Sequence, residues 1–116
     1  MRMWMVAPKY MCRKHLLGEH VETHMFVGCL HRGIRLDGYV DSNCLELTSL
    51  RDRHDELARE MEARGYGHWS PIDCFSMSGQ SKKVRLSEVN KEASWQLLSE
   101  RCSLCRKRRE DADVGV

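Results

Sequence analysis

Prolines are scarce in this chain, with only Pro8 and Pro71 among its 116 residues. Because proline ends or kinks helices, most of the chain is free to form long ones. The length fits one domain with one modest hydrophobic core. We therefore predict an all-α single domain over residues 1–109. An acidic tail over residues 110–116 is predicted to be disordered.

Apolar residues recur with the helical period in three segments, which predicts three helices joined by irregular connections. The predicted helices cover residues 11–29, 48–65 and 87–108. The segments 30–47 and 67–86 are predicted as loops or weak extended structure. Thr48 or Ser49 would cap the start of the second helix, and Gly65 would end it in the left-handed conformation.

The first predicted helix has two contrasting sides. One side is apolar and is predicted to be buried: Leu17, Val21, Met25 and Gly28, together with His24. On the opposite side, His15, Glu19 and Glu22 fall within about 60° of one another. Periodicity alone favours a solvated face for these residues. Phe26 lies on the same stripe, so this side is not simply a polar edge.

Three sequence blocks occur in a specific order. The first is His15-Leu16-Leu17-Gly18-Glu19-His20-Val21-Glu22, which follows a short N-terminal arm. The second is Leu50-Arg51-Asp52-Arg53, then Glu56-Leu57, Glu60 and Arg64-Gly65-Tyr66. A weaker third block is Glu92-Ala93-Ser94, with Arg101 further on. In order and spacing, these blocks resemble the pyrimidine-dimer DNA glycosylases, the endonuclease V type of bacterial viruses. The resemblance is close over residues 1–66 and loose over residues 87–109.

The resemblance implies a DNA glycosylase with abasic-site lyase activity, acting on damaged or modified pyrimidines in base excision repair. The nucleophile of that family is the α-amine of the chain, which implies Met1 here. As a class, α-amines titrate about two units below lysine side chains, so more of the amine is neutral and nucleophilic. Glu22 matches the family's essential glutamate, which can stabilise positive charge on the sugar and assist β-elimination.

Three further residues match family positions near the amine. Arg2 matches an arginine that can hold a phosphate, and His15 and Glu19 match residues that support the site. The chain also departs from the family pattern. Val21 and Met25 stand where the dimer-cleaving enzyme has arginines that hold the damaged duplex. The resemblance therefore supports Met1 and Glu22 as catalytic residues better than it supports a particular DNA lesion as the substrate.

A dense basic cluster lies near the end of the chain, although the net charge is only +2. The cluster consists of Arg106, Lys107, Arg108 and Arg109. Such a run is commonly a solvated helix end that complements the helix dipole. In a DNA enzyme it would instead grip phosphates without sequence preference. We expect the partner to be double-stranded DNA and the protein to be a monomer.

The chain contains six cysteines, and no apolar leader follows Arg2, Pro8 and Lys9. No apolar run approaches the length of a membrane span, so we expect no membrane association. We therefore expect a cytoplasmic protein whose cysteines are thiols or metal ligands.

Cys102 and Cys105 form a Cys-x-x-Cys pair. A structural zinc site needs four ligands, and Cys74, His68 or Cys44 could complete one. Both cysteines also share a helix face with Trp95 and Leu98, as expected for small buried apolar side chains. We predict no cofactor and no metal in the catalytic site.

Two other interpretations remain. The chain could be a non-catalytic nucleic-acid-binding or interaction module of the same fold, with or without a zinc staple. It could also be a viral protein that has lost catalysis and binds a host factor. The distance between the Met1 nitrogen and the Glu22 carboxylate distinguishes these classes, because the enzyme needs the two groups in one groove.

Overall fold

The computed structural model describes residues 1–68 and 70–114. Within those residues it is all-helical, as predicted, but it has six α-helices, so the prediction of three helices is wrong. The helices are α1 (Arg13–His31), α2 (Asp37–Asp41), α3 (Leu50–Ala63), α4 (Lys82–Arg85), α5 (Lys91–Arg101) and α6 (Ser103–Val114). Short 3-10 turns cover Pro8–Tyr10 and Leu47–Ser49. The helices α2 and α4 lie in segments predicted as loops and are too short to show a helical period.

The predicted third helix is two helices, because the chain breaks at Cys102. This residue adopts φ −133° and ψ 105°, which is extended backbone. The Arg106 guanidinium donates a hydrogen bond of 2.8 Å to the carbonyl of Ser99, one of the last carbonyls of α5. The backbone N–H of Cys105 points at the Cys102 sulfur, 3.5 Å away, so this sulfur caps the start of α6. The apolar pattern continues across the break, which is why periodicity did not reveal it.

Both long helices of the N-terminal half end at a glycine. Gly33 follows α1 with φ 69°, and Gly65 follows α3 with φ 83°, as predicted for Gly65. After α3, the N–H of Gly65 bonds to the carbonyl of Glu62, and the N–H of Tyr66 bonds to that of Met61. This pair of hydrogen bonds is the Schellman motif, which satisfies the last carbonyls of a helix.

The face that α1 buries is not the predicted one. Val21 and Met25, which were expected inside, are 55% and 48% exposed. The side that carries Glu19 and Phe26 is buried instead. The reason is a charged partner: Arg53 of α3 forms an ion pair with Glu19, so a carboxylate occupies an inward position.

The core has two parts, one toward each end of the packed pair of α1 and α3. One part gathers residues of the N-terminal arm, α1 and the loops around α2 and α4, including Met3, Phe26, Leu36, Leu45 and Val84. The other joins α1 and α3 to the last two helices, through Met11, Leu16, Leu57, Leu98 and Cys105. The predicted inward stripe of α3 is confirmed, since its four residues are buried: Leu50, His54, Leu57 and Met61.

The last helix continues into the segment expected to form a disordered tail. Its helical residues include Glu110 to Asp113, while residues 115 and 116 lie outside the described part of the chain. The domain boundary after residue 109 stays a prediction. In the part of the chain that the structure describes, no helix is both long and apolar enough to span a membrane.

Candidate active site

The N-terminal arm is held firmly against the helices. Met3 is fully buried, and its N–H donates a hydrogen bond of 2.7 Å to the carbonyl of Cys44. The Ser94 hydroxyl on α5 donates one of 2.6 Å to the carbonyl of Trp4. The backbone N–H of Arg2 donates to Oε2 of Glu22 on α1, at 3.2 Å. The first residues are therefore fixed at a defined place beside α1.

A cavity of about 410 Å³ opens where the arm meets the first three turns of α1. Five of the residues that line it were predicted from the sequence to form the catalytic site: Met1, Arg2, His15, Glu19 and Glu22. Three others were not predicted: Trp4, Lys14 and Gly18. The guanidinium of Arg2 lies over the ring of Trp4, 4.7 Å from its centroid. Two cationic side chains, two carboxylates and the start of the chain thus line one small space.

The start of the chain is close to the Glu22 carboxylate. Successive backbone nitrogens are at most about 4 Å apart. Since the Arg2 nitrogen is 3.2 Å from Glu22 Oε2, the Met1 nitrogen lies within about 7 Å of it. Glu22 is only partly buried, so its carboxylate can face a molecule in the cavity. The start of the chain and the Glu22 carboxylate therefore border the same cavity.

Glu19, one helical turn before Glu22, is in a very different environment. Its side chain is buried and pairs with Arg53, whose Nη2 is 2.8 Å from Oε1 and whose Nε also donates to the carboxylate. Burial raises the pKa of the Glu19 carboxyl, and the hydrogen bonds from Arg53 oppose that increase. Backbone N–H groups of Trp4 and Met5 also contribute hydrogen bonds to this carboxylate. Glu19 therefore holds the arm, whereas Glu22 faces the cavity.

The arm also contains an unusual backbone conformation. Met5 has φ 56°, in the left-handed region that residues other than glycine seldom adopt. The N–H of Met5 is one of the two backbone groups that donate to the Glu19 carboxylate. Strain of this kind persists only when its surroundings hold it, and it is found mostly at functional sites.

His15 lines the cavity, but its Nδ1 atom faces two cysteine sulfurs. Its Nδ1 is 3.2 Å from the Cys12 sulfur and 3.6 Å from that of Cys105. The ring meets Trp4 edge-on, with centroids 5.9 Å apart. Burial, with a smaller contribution from the charge of Lys14, lowers the pKa of His15. Its expected contact with DNA stays a prediction.

The basic cluster of α6 does not line this cavity. The Arg108 side chain donates a hydrogen bond of 3.0 Å to the carbonyl of Lys9, so it contacts the protein itself. Arg109 lies over the rings of Tyr10 and Trp95, at 5.1 and 4.8 Å from their centroids. At least three of the four residues, counting the Arg106 contact with Ser99, thus have structural contacts. Their expected role in binding DNA stays a prediction.

Sequence reasoning missed Lys14, Trp4 and Arg53. Arg53 had a detectable signal, because it lies between Leu50 and Leu57 on the inward stripe of α3. A charged residue at such a position needs a buried partner of opposite charge. Nothing in the sequence placed Trp4 or Lys14, since their positions depend on how the arm folds back.

The fold and the cavity define a small helical protein in which the start of the chain, cations and a pair of carboxylates meet. The chain belongs to the pyrimidine dimer DNA glycosylase family, whose family model matches residues 1–73. Among curated proteins and solved structures, no match to the chain was found. The matched segment includes the arm, α1 and α3, and thus every residue that lines the cavity. The family points to DNA glycosylase function and to DNA as the substrate.

Proposed function

We propose that the chain is a DNA glycosylase with abasic-site lyase activity on damaged or modified pyrimidines in double-stranded DNA. The observation that carries this proposal is the hydrogen bond from the Arg2 backbone to the Glu22 carboxylate. It supports a catalytic arrangement because it holds the start of the chain and a carboxylate in one cavity. A frayed, functionless terminus would make no such contact.

In the proposed first step, the Met1 amine attacks C1′ of the sugar. The glycosidic bond breaks, its electron pair leaves with the base, and the base takes up a proton. The amine then loses a proton, the C1′–O4′ bond breaks with its electrons left on O4′, and O4′ takes up a proton, which gives a protonated imine between Met1 and C1′. Glu22 stabilises the positive charge that develops on the sugar as the base departs. The target nucleotide must leave the base stack before its C1′ can enter the cavity.

In the second step, the imine acidifies the protons on C2′. A base removes one of them, the C3′–O bond breaks, and the 3′ phosphate leaves with the bonding electrons. Water then hydrolyses the imine and restores the free amine. In this proposal Glu22 moves these protons, and its place in the lining of the same cavity supports that role. Arg2 and Lys14, which also line the cavity, would hold the flanking phosphates.

Borohydride trapping tests this proposal. Reduction of the imine on an abasic-site duplex should give a stable protein–DNA adduct that maps to Met1. The matched control is Lys14→Arg, because Lys14 also lines the cavity and carries an amine. The Lys14→Arg variant should still form the adduct. An adduct on Lys14 would exclude the α-amine as the nucleophile but keep the lyase class.

An N-terminal extension provides a second test. It converts the Met1 amine into an amide, which is not nucleophilic, while the helices stay chemically intact. The extended protein should bind DNA but release no base and cleave no strand. Proteolytic removal that leaves Met1 first should restore both activities. If the free-amine protein binds DNA yet neither traps nor cleaves, the chain is the non-catalytic binding module instead.

A further inference from the structure

Four potential metal ligands meet where α1 begins and where α5 gives way to α6. They are Cys12, His15, Cys102 and Cys105, whose donor atoms all lie within 4.8 Å of one another. The Cys12 and Cys102 sulfurs are 3.8 Å apart, and the Cys105 sulfur is 3.6 Å from His15 Nδ1. All four cysteine and histidine side chains are buried or half-buried, and the three cysteines are free thiols.

These distances are close to those of a tetrahedral zinc site. With Zn–S bonds of about 2.3 Å and Zn–N bonds of about 2.1 Å, tetrahedral angles separate two sulfurs by about 3.8 Å and a sulfur from a nitrogen by about 3.6 Å. Two of the observed separations agree, and the third, from Cys12 to His15, is slightly shorter at 3.2 Å. A disulfide would instead need sulfurs about 2.05 Å apart.

The chain presents these ligands in two pairs of equal spacing. Cys12 is the residue before α1 and His15 lies in its first turn, which is Cys-x-x-His. Cys102 is the break between α5 and α6 and Cys105 lies in the first turn of α6, which is Cys-x-x-Cys. Ligand pairs with two intervening residues are typical of structural zinc sites. The break at Cys102 turns its sulfur toward the other three donors.

Backbone groups around the cluster also fit metal-bound thiolates. The N–H of Cys12 points at the Cys105 sulfur at 3.2 Å, and the N–H of Cys105 points at the Cys102 sulfur at 3.5 Å. Hydrogen bonds of this kind orient metal ligands and stabilise their negative charge. Cys74 and Cys44, which the sequence offered as completing ligands, lie outside the cluster.

We propose that Cys12, His15, Cys102 and Cys105 bind a structural zinc ion. Three sulfurs and one imidazole favour zinc over magnesium or calcium, which prefer oxygen ligands. Four protein ligands leave no position open for a substrate, so the site is structural. It would fasten α5 and α6 to the segment matched by the family, which supplies the other two ligands. Because His15 lines the cavity, the ion would also fix one wall of the candidate active site.

We propose a second, separate metal site, on independent geometry, in a cluster of four histidines. It is formed by His20 and His24 of α1, His54 of α3, and His68 in the connection after α3. The Nε2 atoms of His20 and His68 are 2.6 Å apart, and those of His24 and His54 are 3.1 Å apart. Ideal tetrahedral zinc–imidazole geometry would place such nitrogens about 3.3 Å apart.

The surroundings of His54 favour a metal rather than a chain of hydrogen bonds. Its Nδ1 is 2.8 Å from the Asp55 carboxylate, the usual partner of a metal-bound imidazole. If a neutral His54 donates that proton, its Nε2 carries only a lone pair, yet it faces the Ser70 carbonyl at 3.0 Å. A proton or a metal ion on Nε2 resolves this contact between two acceptors, and the three neighbouring imidazoles favour the metal ion. Imidazoles bind zinc and neighbouring divalent metals, so this cluster would hold a second ion of that class.

Metal analysis of the untagged, full-length protein tests both sites. Protein prepared without chelators should contain about two zinc ions per chain by mass spectrometry, one for each complete ligand set. A Cys102→Ser/Cys105→Ser variant should lose about one, and so should His24→Asn/His68→Asn. The matched controls are Cys74→Ser and His31→Gln, which change an exposed residue of the same type outside the clusters. Both control variants should keep the full content.

Cobalt substitution identifies which site each ion occupies and does not depend on activity. The wild-type cobalt protein should show thiolate-to-cobalt charge-transfer absorption, and the histidine variant should keep it. The double cysteine variant should lose it. If the variants misfold, the chelator-treated wild type can be titrated with zinc against a chromogenic competitor. This titration measures how many zinc ions each chain binds. Failure to bind any zinc would overturn both sites, and binding of one ion without charge-transfer absorption for cobalt would overturn the cysteine site alone.

Discussion

Glu19→Gln should destabilise the protein strongly, because Glu19 forms one of its most buried ion pairs. The side chains of Glu19 and Arg53 are 0% and 1% exposed. The guanidinium donates to both carboxylate oxygens, at 2.5 and 2.8 Å. Solvent therefore screens this pair very little. Removing one member leaves the other as a buried charge without full compensation, which typically costs about 3–5 kcal/mol.

The lower end of that range is expected for this substitution. In the variant, Arg53 keeps its contact with Glu56, which is half exposed, and the Gln carbonyl can still accept one hydrogen bond. We therefore expect a loss of about 3 kcal/mol in the free energy of unfolding. A chain of 116 residues has a total stability of about 6–17 kcal/mol, so this loss would be large. Urea denaturation followed by circular dichroism measures it.

Two further variants make the result specific. Glu19→Gln combined with Arg53→Met removes both charges but keeps an acceptor for the backbone N–H groups of Trp4 and Met5, and its stability should return to within about 1–2 kcal/mol of the wild type. Asp41→Asn breaks the Lys83 pair, whose side chains are 63% and 49% exposed, and should change stability by less than about 0.5 kcal/mol. The reasoning is refuted if Glu19→Gln is as mild as Asp41→Asn, or if the double variant is less stable than the single one.

Three other expectations concern catalysis, DNA binding and the arm. Glu22→Gln should lower base release at least about a hundredfold, while affinity for abasic DNA changes little; equal rates would show that Glu22 is only a surface residue. Lys14→Gln and Lys107→Gln should each weaken the salt dependence of DNA binding. The slope of log affinity against log salt should become less negative by about 0.9, as expected for one lost phosphate contact, and an unchanged slope would exclude that side chain from the interface. Ser94→Ala leaves the buried carbonyl of Trp4 without its donor, so it should lower the free energy of unfolding by about 1–3 kcal/mol and slow base release. Unfolding curves and single-turnover rates measure the two effects, and a stable but slow variant would show that the hydrogen bond positions the amine.

The local pattern of the sequence determined the helical class and the long central helices. The inward stripe of α3 and the glycine that ends it depend on residues within a few turns of one another, so both could be predicted. The same holds for the order of the blocks around Glu19 and Glu22, from which the family resemblance followed. These features depend on local periodicity and backbone preferences, which a single sequence displays directly.

Tertiary contacts decided the features that the sequence left open or predicted wrongly. The buried side of α1 depends on Arg53, which is 34 residues from Glu19 along the chain. The groups that lie beside Cys102 and Cys105 are not the cysteines nearest in sequence but Cys12 and His15. Cys12 is 90 residues from Cys102, and His15 is 90 residues from Cys105. The position of Met1 beside Glu22 depends on the arm being held by Cys44 and Ser94. Each of these contacts joins distant parts of the chain, and helical periodicity describes only the residues within one helix.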